Sequence, residues 1–270
     1  MSRPRTSGSL PLTRRELSEG RRGLIGWGLG IVGAIALYLP FYPSAGGSEM
    51  VQTYLDAFPP ELSRVFGLDR MATGAGYTQA AYFGLTAFLL LAIAAVGWGS
   101  QAVAGDEESG SLELTLAHGV SRAQLVFERF LALLLKLVTL SAIGWVTIMA
   151  LSGPSQLGLD GVNVVAASAA LLGLTALVGA VALAVGAATG RRSFATAAGA
   201  GVAVLAYALD AVAVTADAPW LQRLSPYHWA YGSDPITTGF DWPSLVLLTG
   251  MTVLLVVVAA WAFSRRDVSG

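Results

Sequence analysis

The chain has 270 residues, of which 54% are hydrophobic and only 12% charged, whereas soluble domains carry about 25% charged residues. A shortage of charge that large points to a protein embedded in lipid. With no cysteine and a net charge of −1, the composition excludes disulfides and thiolate metal sites and speaks against a nucleic-acid partner.

The N-terminal tail is rich in arginine. Thr13 and Glu16 have the T-x-x-E spacing of a capping box, which predicts a short basic amphipathic helix lying on the membrane surface. A membrane helix needs about 20 mostly apolar residues. Six runs meet that requirement: 23–42, 79–103, 129–151, 163–188, 194–214 and 244–263. The first is longer than the apolar core of a signal peptide and is expected to be retained as a span. Within it, Gly26 and Gly30 form G-x-x-x-G, a spacing used by membrane helix dimers. In segment 43–76, Met50, Tyr54, Leu55 and Phe58 stand at helical spacing before Pro59 and Pro60. Leu62, Val65 and Phe66 then resume an apolar face, so two short helices hugging the interface are expected.

Segment 104–128 is the most polar stretch in the middle of the chain, with Asp106, Glu107, Glu108 and Glu113 close together. "SGSLELTLA" predicts about two turns of helix, with Leu112 and Leu116 on one face and Glu113 on another. Gly119 is placed to end that helix. Ser121 and Gln124 make an S-x-x-Q box that starts the helix leading into the third span. Lys136, two turns into that span, is expected to snorkel back to the interface. Asp210, near the far end of the fifth span, is a weak candidate for a substrate pathway, with a structural role as the alternative. Prolines, glycines and aromatics make 215–243 a compact, turn-rich segment. In it His228 reads as an interfacial hydrogen-bonding residue, and Asp234 and Asp241 as turn or cap residues.

Basic residues orient the spans. Twelve arginines (3, 5, 14, 15, 21, 22, 122, 129, 191, 192, 265 and 266) lie on the side of the termini and three (64, 70 and 223) on the other. The termini and 104–128 are therefore expected in the cytoplasm, and 43–76 and 215–243 outside. Catalytic machinery is missing from the sequence. A phosphate-binding loop needs a lysine after glycine, and the only lysine follows Leu135. H-E-x-x-H and G-x-S-x-G are absent too.

The stretch "DEESGSLELTLAHGVSRAQLVFERF" resembles the cytoplasmic signature of type-2 ATP-binding-cassette (ABC) exporter permeases. Glu107 and Glu108 match that family's acidic pair, Gly110 its glycine, Leu112, Glu113, Leu114 and Leu116 its leucine run, and Ser121 and Arg122 its S-R. Gly119 stands where the family often has proline. "YLDAFPPELSRVFG" and "LSPYHWAYGSDP" also look similar. The resemblance implies a single all-α permease domain over 1–270, with six spans, an N-terminal interfacial helix and a cytoplasmic coupling helix between spans 2 and 3. It implies export of a hydrophobic or amphipathic substrate such as a drug, natural product or lipid, from a bacterial cell membrane. The implied partners are two copies of a separate ATPase, which would hold the ATP and Mg, a second permease copy or a related permease, and membrane lipids. No cofactor is expected on this chain, no metal and no catalytic residue. The coupling residues would be Glu107, Glu108, Gly110, Leu112, Glu113, Leu114, Leu116 and Arg122. The alternative is a non-transporting polytopic membrane protein, either a scaffold or an enzyme of lipid metabolism.

Overall fold

The computed structural model describes residues 10–45, 73–117 and 119–266, and these form helices joined by turns, with no strand among them. The two short helices expected between residues 48 and 70 lie outside the described residues. A surface helix α1 (Pro11–Glu19) leads into α2 (Arg21–Tyr38), which continues as a tight turn through Leu39–Phe41. The second span is one long helix, α3 (Gly74–Glu108), followed by the short α4 (Ser111–Ala117). Then come α5 (Arg122–Ser152), α6 (Gly161–Thr189) and α7 (Arg192–Thr215). Three short helices, α8 (Pro219–Gln222), α9 (Pro226–Tyr231) and α10 (Pro235–Thr238), precede α11 (Trp242–Arg265). Six of these helices, α2, α3, α5, α6, α7 and α11, are long and apolar enough to cross a membrane.

Local chemistry explains the boundaries. Each of α8, α9 and α10 starts with proline, whose fixed φ and missing N–H suit the first helical position. Asp160 opens α6 by accepting from the N–H groups of Val162 and Asn163 at 2.8 and 3.0 Å, and Gly190 closes it at φ 67°. Asp241 opens α11 by accepting from Ser244 N–H, and Asp234 sits at a left-handed turn, φ 57°. The hydroxyl of Ser225 accepts from His228 N–H at 3.1 Å and donates to Ala206 O at 2.6 Å, tying α9 to α7.

The second span differs from the expected 79–103 by starting five residues earlier and ending five later. Two wide π-helical stretches, Gln79–Ala87 and Gln101–Gly105, let the helix continue through both ends. In the first of them, Gly84 O accepts from the Tyr227 hydroxyl at 2.6 Å. That bond fastens α9 to α3.

Helix α6 is the axis of the bundle. In its apolar window 72% of residues are buried, against 22% for α2 and for α7. It packs on α11, α7, α3 and α5. Lipid tails are as apolar as leucine, so close contact between small residues has to supply the attraction. Where α3 crosses α6 the approach is close: a Cβ placed on Gly99 would stand 2.5 Å from Gly179 O. Gly26, by contrast, has nothing within 4 Å of such a Cβ.

Gly99→Ala should therefore force the two backbones apart and destabilise the protein by about 1–3 kcal/mol. Gly26→Ala should not lower the thermal unfolding midpoint of the monomeric chain, because the added methyl group meets nothing there and alanine favours the helix.

Candidate functional site

The two ends of the bundle differ in character. One carries α1, α4 and the last turn of α11, and there charged side chains from different helices meet. Segment 105–130 contributes most of them. Arg129 at the start of α5 pairs with both Glu16 of α1 and Asp106 at the end of α3. Lys136 Nζ reaches Glu16 Oε1 at 2.7 Å and stands 5.2 Å above the Trp98 ring. Lys136 is 2% exposed. It points back toward the interface, but its charge ends on a carboxylate and an aromatic face, not in water. Burial pushes the Glu16 carboxyl up, yet the hydrogen bond and charge of Lys136 and the charge of Arg129 outweigh it. The group lies below its usual range.

The capping box expected from Thr13 and Glu16 does not form. Leu10 occupies the cap position in a left-handed conformation, and Thr13 lies inside the helix. Glu128 of α5 does the capping instead: its Oε2 accepts from Leu12 N–H at 2.9 Å and Thr13 N–H at 3.2 Å. The Thr13 hydroxyl donates to Glu128 O at 3.1 Å. Glu16 is thereby free to neutralise Lys136. The Ser121 box forms by half. Its hydroxyl accepts from Gln124 N–H at 3.1 Å, while the Gln124 side chain donates to Glu128 Oε1 at 2.8 Å.

The acidic pair has partners within the chain. Glu107 binds the guanidinium of Arg266, which also donates to Ala187 O at 3.1 Å, near the end of α6. Glu108 Oε1 accepts from the N–H of Arg192 at 2.8 Å and so caps the start of α7. Arg122 donates to Phe263 O at 3.1 Å and to Arg266 O, and lies 5.5 Å over the Phe263 ring. Glu108 thus places a carboxylate at the start of α7, and Arg122 and Arg266 place guanidinium groups at the ends of α11 and α6, as the helix dipole favours. Both carboxylates thus tie the end of α3 to neighbouring helices.

Helix α4 stands between Gly110 at φ 72° and Gly119 at φ 80°. Leu112, one of the coupling residues that the resemblance implies, is 1% exposed and shares an apolar cluster with Val103, Leu125, Val126 and Phe263. It holds α4 to the bundle. Helical periodicity accounts for this: Leu112 and Glu113 are neighbours on adjacent faces, and Glu113 is the one exposed. The side chains of Leu114 and Leu116, two more of the implied coupling residues, lie outside the described residues. Between α1 and α4 lies a polar hollow of about 620 Å³, lined by Arg15, Glu16, Trp98, Gln101, Ser111 and Lys136 among others.

Asp210 lies at the opposite end of the bundle, where its Oδ1 is 3.0 Å from His228 Nδ1. The rings of Tyr207 and Tyr227 pack edge to face beside it. The pair joins α7 to α9. No three metal-ligating side chains converge among the described residues.

Glu16, Asp106, Glu128 and Arg266 were not among the candidates that the sequence suggested. A signal for Glu16 existed: a lone lysine inside an apolar run needs a carboxylate, and the polar helix just before the first span offers one.

A model of a family described as ABC-2 family transporter protein matches residues 10–268. No curated protein matches the chain.

Glu16→Gln should leave the Lys136 ammonium buried without its carboxylate and cost on the order of 3 kcal/mol in chemical or thermal unfolding. Adding Lys136→Met should recover most of that loss. Because the Glu16 carboxyl is held down, the stability it contributes is complete above the ordinary glutamate value of 4.5. It is lost as pH falls through the lowered one. Wild-type protein should lose stability over that acid range, and the double variant should lose less.

Proposed function

Given that the chain belongs to the ABC-2 transporter family, and so is the membrane subunit of an ABC transporter, we propose that it exports a hydrophobic or amphipathic compound from the cytoplasm. Energy comes from ATP hydrolysed, with Mg, by a separate ATPase subunit present in two copies. The charged end of the bundle faces the cytoplasm and the opposite end faces out, a reading that the arginine asymmetry supports. The observation that carries the reading is α4. It is a helix too short to span, set between two left-handed glycines and placed at the charged end.

The partner meets α4 on its outward side. Glu113 is exposed and suits a basic surface, and Leu114 and Leu116 are the apolar anchors this reading assigns to the same helix. Glu107, Glu108 and Arg122 act from behind, by fixing how α4 sits on the spans. A second copy of the chain, or a related permease, packs against the first. The exposed Gly26 and Gly30 on α2 leave room for close backbone contact with another helix. Drugs, natural products and lipids all belong to the substrate class.

Two experiments test this. Purified alone, the chain should not hydrolyse ATP, since it has no phosphate loop. It should co-purify with an ATPase subunit, whose hydrolysis it alters. Leu114→Ala with Leu116→Ala should weaken that association about fivefold or more, the effect of losing roughly 1 kcal/mol at an interface anchor, without affecting membrane insertion. Hydrolysis by the chain alone, or unchanged association in the double variant, would contradict the reading. For orientation, a cysteine at Ser109 should react with an impermeant reagent only from the cytoplasmic side and one at Thr237 only from outside. The chain has no cysteine of its own to interfere.

A further inference from the structure

Helix α4 is covalently continuous with α3 on one side and α5 on the other, so force applied to it reaches those two spans through the backbone. The structure holds a third route. The last turn of α11 is gripped from both flanks of α4. Glu107, before α4, binds the Arg266 guanidinium. Arg122, after α4, donates to Phe263 O and Arg266 O and covers the Phe263 ring. Beneath them, Phe263 is 0% exposed and shares a buried cluster with Leu112 of α4 itself. Arg266 also donates to Ala187 O, so the same side chain fastens the end of α6.

We propose that Arg266, held by Glu107 and Arg122, is a positioning residue that transmits displacement of α4 directly to α11. This proposal rests on the permease reading given above. The grip is a set of charge-assisted bonds to backbone carbonyls and a carboxylate, which are stronger than neutral ones. It is also sheltered. The side chains of Arg266 and Glu107 are 22% and 16% exposed, so screening by solvent is much weaker than for a surface pair. Glu107 Oε2 is buried with no bonding partner. Separating Arg266 from Glu107 would leave a desolvated carboxylate without its counter-charge, a strongly unfavourable state. The two therefore move together. A helix of 24 residues then carries the motion to the other side of the membrane, about 36 Å away at 1.5 Å per residue.

The test uses the wild-type chain with its co-purified ATPase in lipid nanodiscs, with single cysteines carrying an environment-sensitive fluorophore. One is at Thr249 on the exposed side of α11, the other at Thr139 on the exposed side of α5. Trapping the ATPase with ATP and vanadate should shift emission at both positions. In Arg266→Ala the shift at Thr249 should be strongly diminished while that at Thr139 persists, the remaining contact being that of Arg122 and Leu112 with the last turn of α11. Arg266→Lys, which keeps the charge opposite Glu107, should restore the response at Thr249 and guards against a mere folding defect. An undiminished Thr249 shift in Arg266→Ala overturns the proposal. So does an equal loss at both positions, which would make Arg266 a general stabiliser, and so does the absence of any shift at Thr249 in the wild type. Failure of the permease reading shows separately, as a wild-type chain that brings down no ATPase.

Discussion

A helix that ends at a membrane surface leaves backbone N–H and C=O groups unpaired where water is scarce, and something must satisfy them. In this protein the solution is reciprocal. At the charged end of the bundle, helices cap one another. Glu128 of α5 serves the start of α1, Glu108 the start of α7, Arg122 the end of α11, and Arg266 the end of α6. Arg129, Glu16, Asp106 and Lys136 add ion pairs between the same elements. Some of these charges neutralise others that the apolar surroundings would penalise, and others fix where a helix stops; Arg266 does both.

Away from that end, the bundle depends on contacts of a different kind. α6 is buried along most of its length, and α3 approaches it closely enough that a glycine is required at the crossing. Such packing resists shear but has no polar direction. The charged end supplies direction, because a guanidinium or carboxylate bonded to particular backbone atoms defines a register as well as a distance. The two halves of the molecule thus divide the work. Small residues bring the helices together, and charged residues set their ends.

Much of this was legible in the sequence. All six spans appear as apolar runs, and α4 and its flanking glycines appear as a polar interruption with helical spacing. The caps at Asp160, Ser121 and Asp241 follow from local residues, and only the last two were anticipated. What could not be read is whatever depends on residues far apart in the chain. Thr13 and Glu16 have the spacing of a local box, yet Glu128, more than a hundred positions later, takes the capping role. That Leu112 packs on Phe263 and Val126 is likewise invisible in its local sequence. Local spacing sees one helix at a time, and these roles are decided by which helices become neighbours.

The trans-cap on α1 also sets an order of events during synthesis. The N-terminal helix leaves the ribosome first, but the carboxylate that completes its first turn belongs to α5 and follows 115 or more residues later. Until the third span is in place, α1 has neither its cap nor the Lys136 and Arg129 cations that hold Glu16. An isolated helix of nine residues is marginal in water. Helix α1 should thus take its final shape only after the third span has been inserted, and its docking would report that the first three spans have assembled.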